Sequence, residues 1–198
     1  MNTATPSSAD TAGWKDKKRW LWLLSPGIPF SGLAALCLYV LTDWGPLLWA
    51  GPVLIHLLIP ALDRLVGEDS GNPPENAINQ LNADKYYRRI VAAYIPAQYA
   101  ITISGAWLAA YGNLAWWELI GMTWSVGAIN GIGINTAHEL GHKKEKRERW
   151  LSRITLAPVM YGHFYVEHNK GHHKNVATPI DPASSRMGES FWGFLPRT

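Results

Sequence analysis

Residues 114–142 read LAWWELIGMTWSVGAINGIGINTAHELGH, a nearly uncharged run that ends in a pair of histidines. The part up to Asn135 is long enough to cross a bilayer as one helix, which needs about 20 mostly apolar residues. On a helix, His138 and His142 then lie one turn apart on the same face, where both rings can reach one metal ion. The stretch predicts a membrane-spanning helix that ends in metal ligands.

Three more apolar runs precede this one, at about residues 20–41, 46–62 and 90–111. If the N-terminus is cytoplasmic, the four spans place residues 42–45 and 111–114 outside and all 18 Lys and Arg inside. This asymmetry is typical of membrane proteins and has no cause in a soluble one. We therefore predict an all-α fold, a polytopic transmembrane helical bundle with histidine boxes at the cytoplasmic ends of helices.

The composition supports this class. The chain has 47% hydrophobic residues, eleven Trp and one Cys, which excludes disordered, collagen-like and disulfide-stapled proteins. It lacks an early apolar core with a cleavage site, so no cleavable signal peptide is expected. The predicted segments are a polar cytoplasmic N-terminal segment (1–19), a first transmembrane hairpin (20–62), a cytoplasmic loop (63–89), a second transmembrane hairpin (90–136) and a cytoplasmic histidine-box region (137–198).

A second histidine box follows in this last segment. It reads Glu167-His168-Asn169-Lys170-Gly171-His172-His173. In a helix, His168 and His172 repeat the i, i+4 spacing of the first box, and His173 points in a neighbouring direction. Five clustered imidazoles predict a metal site, since neither packing nor solubility requires them. The remaining histidines are interpreted differently, His56 as a packing residue of the second span and His163 as an interfacial residue.

Nitrogen ligands suit zinc, copper or iron, so the donor type alone leaves the metal open. The pattern His138-Glu139-x-x-His142 also matches zinc metalloproteases, in which Glu139 would act as general base. That interpretation uses two of the five histidines and leaves the second box unexplained. A pair of irons, activating dioxygen for an apolar substrate dissolved in lipid, accounts for both boxes and is favoured. Glu139, Glu167 and Asp181 are candidate partners that orient the ligand imidazoles from behind.

The two boxes and their flanks resemble those of the membrane-bound alkane 1-monooxygenases, the bacterial alkane hydroxylases. The runs that carry the resemblance are Asn135–Lys144, Tyr161–His173 and Ala177–Ser190, together with Gly67-Glu68-Asp69 and Asn72-Pro73-Pro74-Glu75. The likeness extends from the first span to the end of the chain.

The resemblance implies terminal hydroxylation of medium-chain n-alkanes to 1-alkanols at two non-haem Fe ions. It implies rubredoxin, reduced by an NAD(P)H-dependent rubredoxin reductase, as electron donor, with membrane lipid as surroundings and no nucleic acid as partner. By matching positions, the iron ligands are His138, His142, His168, His172 and His173. The location would be the bacterial inner membrane, with the N-terminus and both boxes cytoplasmic.

The resemblance also predicts that part of the site is missing. Members of that family carry a third histidine box, a further histidine ligand and two more spans downstream, and no histidine follows His173 here. We therefore expect a partial sequence that holds iron weakly and is inactive by itself. A membrane fatty-acid desaturase or hydroxylase and an intramembrane zinc protease remain as alternatives.

Overall fold

The computed structural model describes residues 15–69 and 71–198, so residues 1–14 of the predicted N-terminal segment lie outside the described residues. Throughout the described ranges the secondary structure is helical and no strand forms, which confirms the all-α prediction. The chain forms two compact units. One extends to Ile129 and the other covers Asn130–Thr198.

Among the described residues of the first unit, five long or composite helices begin. A 3-10 turn, Arg19–Leu23, leads into α1, Leu24–Thr42. Helix α2, Gly45–Val66, is a composite that includes a π-helical segment, Val53–Leu58. The others are α3, Glu75–Ala83, α4, Lys85–Tyr111, and α5, Trp116–Gly141, which continues into the second unit.

Among the described residues, two helical stretches have the length and apolar composition needed to cross a membrane. They are Arg19–Thr42 and Gly45–Val66, the two arms of the predicted first hairpin. Helices α4 and α5 have 27 and 26 residues, so each is long enough to span a bilayer. That they do so remains a prediction, as does the four-span bundle.

Two aspartates set the ends of these helices. Asp43 adopts the left-handed conformation (φ 54°), and its N–H donates to the Tyr39 carbonyl at 2.8 Å, which ends α1. The Asp84 carboxylate accepts from the N–H of Tyr86 at 2.8 Å and caps the start of α4. Helix α3 lies within the segment predicted as a loop. Its one buried residue is Ala77, so the sequence has no long hydrophobic run there that would indicate a helix.

Helix α1 packs against α4 in the first unit. Gly32 leaves space into which the side chains of Ile101 and Ile129 project. Tyr94 is fully buried, and its hydroxyl donates to the Ile129 carbonyl at 2.6 Å. A hydrogen bond buried among apolar side chains therefore joins α4 to α5.

The start of α2 contacts α5 through Gly51. The Gly51 N–H donates to Oγ of Ser125 at 3.1 Å, and that hydroxyl donates to the Leu48 carbonyl at 2.7 Å. A Cβ at Gly51 would lie 2.6 Å from the Ser125 Cα, so glycine is required for this approach. Gly127 and Gly131, further along α5, have open space where a Cβ would stand.

Arg19, which precedes α1, contacts the residues at the start of α4. Arg19 forms an ion pair with Asp84 at 3.0 Å, and its guanidinium lies 4.0 Å from the centre of the Tyr86 ring. The Tyr86 hydroxyl donates to the Arg19 carbonyl at 3.0 Å. These contacts fix the chain where it enters the first apolar helix.

The second unit contains the end of α5, three further α-helical or π-helical segments, and the 3-10 turns Ala157–Val159 and Leu195–Arg197. Helix α6 covers Lys146–Leu156. The segment α7, residues 164–175, is continuous and consists of Phe164–Val166, a π-helical turn Glu167–His172, and His173–Asn175. A short helix α8, Phe191–Phe194, is capped by Ser190, whose hydroxyl accepts from the Gly193 N–H at 3.2 Å.

Candidate metal centre

The first histidine box lies in the last turn of α5 and just beyond it. The helix continues to Gly141, so His138 and His142 have the predicted one-turn separation. Their Nε2 atoms are 2.7 Å apart and the ring centres 4.5 Å. Two nitrogen atoms this close require one donor and one acceptor, or a shared cation.

The second box is a π-helix, and this changes which histidines meet. In a π-helix the repeat is i, i+5, so His168 aligns with His173. Their Nε2 atoms are 3.1 Å apart. The i, i+4 pairing expected for His168 and His172 is wrong in this respect, although their rings stack at 5.5 Å.

The two boxes converge on one group of four histidines, which we call the histidine cluster. Its members are His138, His142, His168 and His173, and one ligand atom from each lies within 4.8 Å of all the others. The boxes meet directly where Nε2 of His142 lies 3.2 Å from Nε2 of His168. Nitrogen ligands about 2.0–2.1 Å from one ion lie roughly 3–4 Å from each other, so the donors present fit a metal ion.

His172 lies beside the cluster, with its Nδ1 directed at a carboxylate. Nδ1 is 2.8 Å from Oδ2 of Asp181. That aspartate is buried, and it also accepts from the Ser184 hydroxyl at 2.5 Å and from the Ala183 N–H at 3.1 Å. A carboxylate in this position fixes one tautomer and orientation of the ring, the usual arrangement behind a metal-binding histidine.

The other two acidic candidates are placed differently. Oε1 of Glu139 is 3.9 Å from Nδ1 of His138, and the Glu139 side chain is 67% exposed. Glu167 is exposed, and within the described chain no hydrogen bond or ion pair joins it to the cluster. His163 lies against the ring of Tyr161, with 4.6 Å between ring centres, and is outside the cluster.

An aromatic ring that the sequence did not single out packs against the cluster. Phe164 stacks on His168 with ring centres 5.0 Å apart, and its edge faces His138 at 6.5 Å. The i, i+4 spacing of Phe164 and His168 was visible in the sequence, but a single phenylalanine in an apolar segment gives no sign of its neighbour. The ring supplies an apolar wall to the site.

The surroundings keep two cluster histidines neutral. The pKa of His168 is lowered to about 4, first by burial and then by the neighbouring rings of His138 and His173. The pKa of His142 is lowered by burial and then by the same two rings. Because only neutral imidazole binds a metal, the protein has already met this requirement near pH 7.

We expect the metal-free chain to lose stability as the pH falls from about 6.5 towards 4. The pKa of His168 in the folded chain lies below its ordinary value near 6.5. In that window the unfolded chain therefore binds more protons, and stability falls with pH. Melting temperatures of metal-free protein in detergent at pH 7.5 and 5 measure the loss. His168→Gln should reduce it, whereas an equal loss in that variant would contradict the assignment.

Helix α6 supports the first box from behind. Ser152 is 1% exposed, and its hydroxyl donates to the Ala137 carbonyl at 2.6 Å, next to His138. The Ser152 hydroxyl also lies 3.2 Å from where a Cβ of Gly141 would stand. The glycine of the first box thus lets α6 approach α5 closely.

Ser152→Ala is expected to lower the free energy of unfolding by about 1–2 kcal/mol, because the buried Ala137 carbonyl loses its side-chain donor. The measurement is chemical or thermal unfolding in detergent. Ser185→Ala, at an exposed position of the same unit, is the matched control. Equal stability of the two variants would mean that this hydrogen bond does not hold the end of α5.

Comparisons with known proteins show which families the chain is similar to. Residues 114–198 match the family model described as fatty acid desaturase. The chain is 45% identical over 193 residues to alkane 1-monooxygenase 1 of Alcanivorax borkumensis, covering 96% of this chain and 47% of that protein. It is 44% identical over 184 residues to alkane 1-monooxygenase of Pseudomonas putida, covering 92% and 45%.

A third relative, alkane 1-monooxygenase of Acinetobacter baylyi, is 43% identical over 187 residues, with 92% of this chain and 46% of that protein covered. The chain thus spans about half the length of the curated relatives it matches. The likeness includes both histidine boxes and the apolar helices before them. The chain is therefore homologous to the alkane 1-monooxygenases over about half of their length.

Proposed function

We propose that this chain forms part of a membrane enzyme that hydroxylates the terminal carbon of medium-chain n-alkanes to give 1-alkanols. The observation that carries the proposal is the convergence of the two boxes on four nitrogen donors, in a chain homologous to alkane 1-monooxygenases. The apolar helices Arg19–Thr42 and Gly45–Val66 would anchor the chain in the lipid in which an alkane dissolves.

Iron is the metal we propose, as a pair of non-haem ions. The four cluster histidines would hold one ion, and His172, through the nitrogen not facing Asp181, is proposed as a ligand of the second. Bound iron would supply the reduction of dioxygen and the oxidation of the alkane C–H bond. The chain's own residues lower the pKa of His142 and His168, orient His172 through Asp181 and pack the Phe164 ring against His168.

The proposed electron donor is rubredoxin, itself reduced by an NAD(P)H-dependent reductase. Exposed basic residues follow the first box directly, which suits an acidic partner or lipid headgroups. They are Lys144, Lys146, Arg147 and Arg149. We place this face, with the N-terminus, on the cytoplasmic side of the bacterial inner membrane, since the positive-inside distribution of the sequence favours that orientation.

The test joins this chain to the remaining half of Alcanivorax borkumensis alkane 1-monooxygenase 1 and supplies rubredoxin, its reductase and octane. We expect 1-octanol from the joined protein and none from the 198-residue chain alone. The joined protein carrying His168→Ala is the inactive control. A joined protein that folds and retains iron but forms no alcohol from octane would contradict the proposal.

A desaturase or hydroxylase of fatty acids is the second candidate, favoured by the family model matched at residues 114–198. It would use the same histidines on an acyl chain. Feeding the joined protein with octane and with a saturated fatty acid in parallel separates the two. Product from the fatty acid alone would favour the second candidate over the first.

A further inference from the structure

The segment after the second box folds back beneath His172. Residues 177–189 form successive turns, and Asp181 is their most buried member, with 3% of its surface exposed. Its carboxylate accepts hydrogen bonds from three groups, which are His172 Nδ1, the Ser184 hydroxyl and the Ala183 N–H. The orientation of His172 therefore depends on how firmly this turn is held.

The guanidinium of Arg197 holds this turn through hydrogen bonds to its backbone carbonyls. Arg197 donates through Nη1 to the Pro182 carbonyl and through Nη2 to the Ser184 carbonyl, both at 2.9 Å. Pro182 and Ser184 flank Ala183, and Pro182 directly follows Asp181. The same guanidinium makes a two-point ion pair with Glu189, Nε to Oε1 at 2.9 Å and Nη2 to Oε2 at 2.8 Å.

The ion pair between Arg197 and Glu189 is stabilised by a further hydrogen bond and by burial of the carboxylate. Glu189 also accepts from the Arg186 N–H at 2.8 Å, and its side chain is 13% exposed. Hydrogen bonds from Arg197 and then from that N–H lower the pKa of Glu189 to about 2, so it stays charged throughout the physiological range. The planar guanidinium of Arg197 has enough donors to hydrogen-bond both carbonyls and the carboxylate at once. A lysine ammonium lacks this planar set of donors and cannot replace it.

We propose that Arg197 is a positioning residue of the metal centre. By tying the Pro182 and Ser184 carbonyls to Glu189, it holds Asp181 against His172 and so sets the tautomer and orientation of that ring. This inference rests on the proposed function, in which His172 binds a metal. It makes Arg197 part of the site, although that residue lies 24 positions after His173, the end of the second box.

The first test measures which nitrogen of the His172 ring carries the proton, in the absence of metal. ¹⁵N NMR of histidine-labelled, metal-free chain in detergent, with His172 assigned through His172→Gln, reports which ring nitrogen carries the proton. We expect the Nδ1–H form in the unaltered chain. Arg197→Met and Asp181→Asn should each reduce its population. Arg186→Met is the matched control, because Arg186 contacts Glu189 through its backbone N–H, and it should leave the signal unchanged.

The second test measures metal affinity. Because His172 is proposed to bind the second ion, the joined protein described above is titrated with Co²⁺ and followed by absorbance. Binding at the second site should be about tenfold weaker in Arg197→Met, the lower part of the range for lost partners behind a ligand. Adding Arg197→Met to Asp181→Asn should weaken binding no further, since both act through His172. Arg197→Lys should behave like Arg197→Met. Circular dichroism checks that every variant keeps its helices.

The outcomes separate this inference from the proposed function. If the unaltered chain fails to bind Co²⁺ while the His172 tautomer still responds to Arg197→Met, the metal site is contradicted and the positioning role stands. If the joined protein binds Co²⁺ and Arg197→Met changes neither the tautomer nor the affinity of the second site, the positioning role is overturned. Independent, additive losses in the double variant would also overturn it.

Discussion

His168→Ala is expected to weaken metal binding by more than about 100-fold, beyond the range for residues that only support a ligand. His168 is the member of the cluster that joins the two boxes. Its Nε2 lies 3.2 Å from that of His142 and 3.1 Å from that of His173. Without it, three donors remain, and the first box loses its nitrogen contact with the second. The measurement is Co²⁺ or Fe²⁺ titration of the chain in detergent.

The matched control is His163→Ala, at an exposed histidine five residues earlier that lies outside the cluster. It should bind metal as the unaltered chain does. Elemental analysis of protein purified from iron-supplied cells gives a second measurement. Unchanged affinity in His168→Ala, or an equal loss in both variants, would show that the two boxes do not bind a common ion.

Gly51→Ala is expected to lower the free energy of unfolding by about 1–3 kcal/mol, the usual cost of forcing an extra methyl into a packed interface. The new Cβ would lie 2.6 Å from the Ser125 Cα and 2.8 Å from its Oγ. The backbone cannot yield as a flexible side chain can, so α2 must move away from α5. That movement would also break the hydrogen bond from the Gly51 N–H to Ser125. Unfolding in detergent measures the loss.

Gly127→Ala provides the control, because it is the same substitution on the helix that Gly51 approaches. Open space surrounds the position within the chain. Alanine is the better helix former by up to about 1 kcal/mol, so stability should stay constant or rise. A loss of stability at Gly127 equal to that at Gly51 would mean that the contact with Ser125 does not determine the effect.

The helices could be predicted because long apolar runs and charge-free turns are local properties. Helix α1 ends at Thr42, as the break beginning there indicated, and α4 ends at Tyr111. Helix α3 could not be predicted from hydropathy, since it buries a single alanine. Helix α5 continues past Asn135, the end of the predicted span, to Gly141 and includes His138, as the helical spacing of the first box requires.

Much of the candidate site was also visible in the sequence. The first box needed only helical spacing, and α5 provides it. The partner of His172 could be named, since Asp181 follows closely, but its contact depends on turns that no pattern encodes. The contribution of Arg197 depends on the chain folding back over 15 residues to the Pro182 carbonyl, a separation at which sequence periodicity carries no information.

The wide turn at Glu167–His172 gives two adjacent, chemically identical residues separate tasks. One additional residue per turn shifts the helical phase, so that His173 joins the donors while His172 faces a carboxylate. The side-chain amide of Asn169 donates to the Tyr165 carbonyl at 2.9 Å, inside the distorted turn. If the same residues formed an ordinary α-helix, His172 rather than His173 would lie one turn after His168, and the two neighbours would exchange roles. The spacing between the histidines is thus as much a part of the centre as the imidazoles themselves.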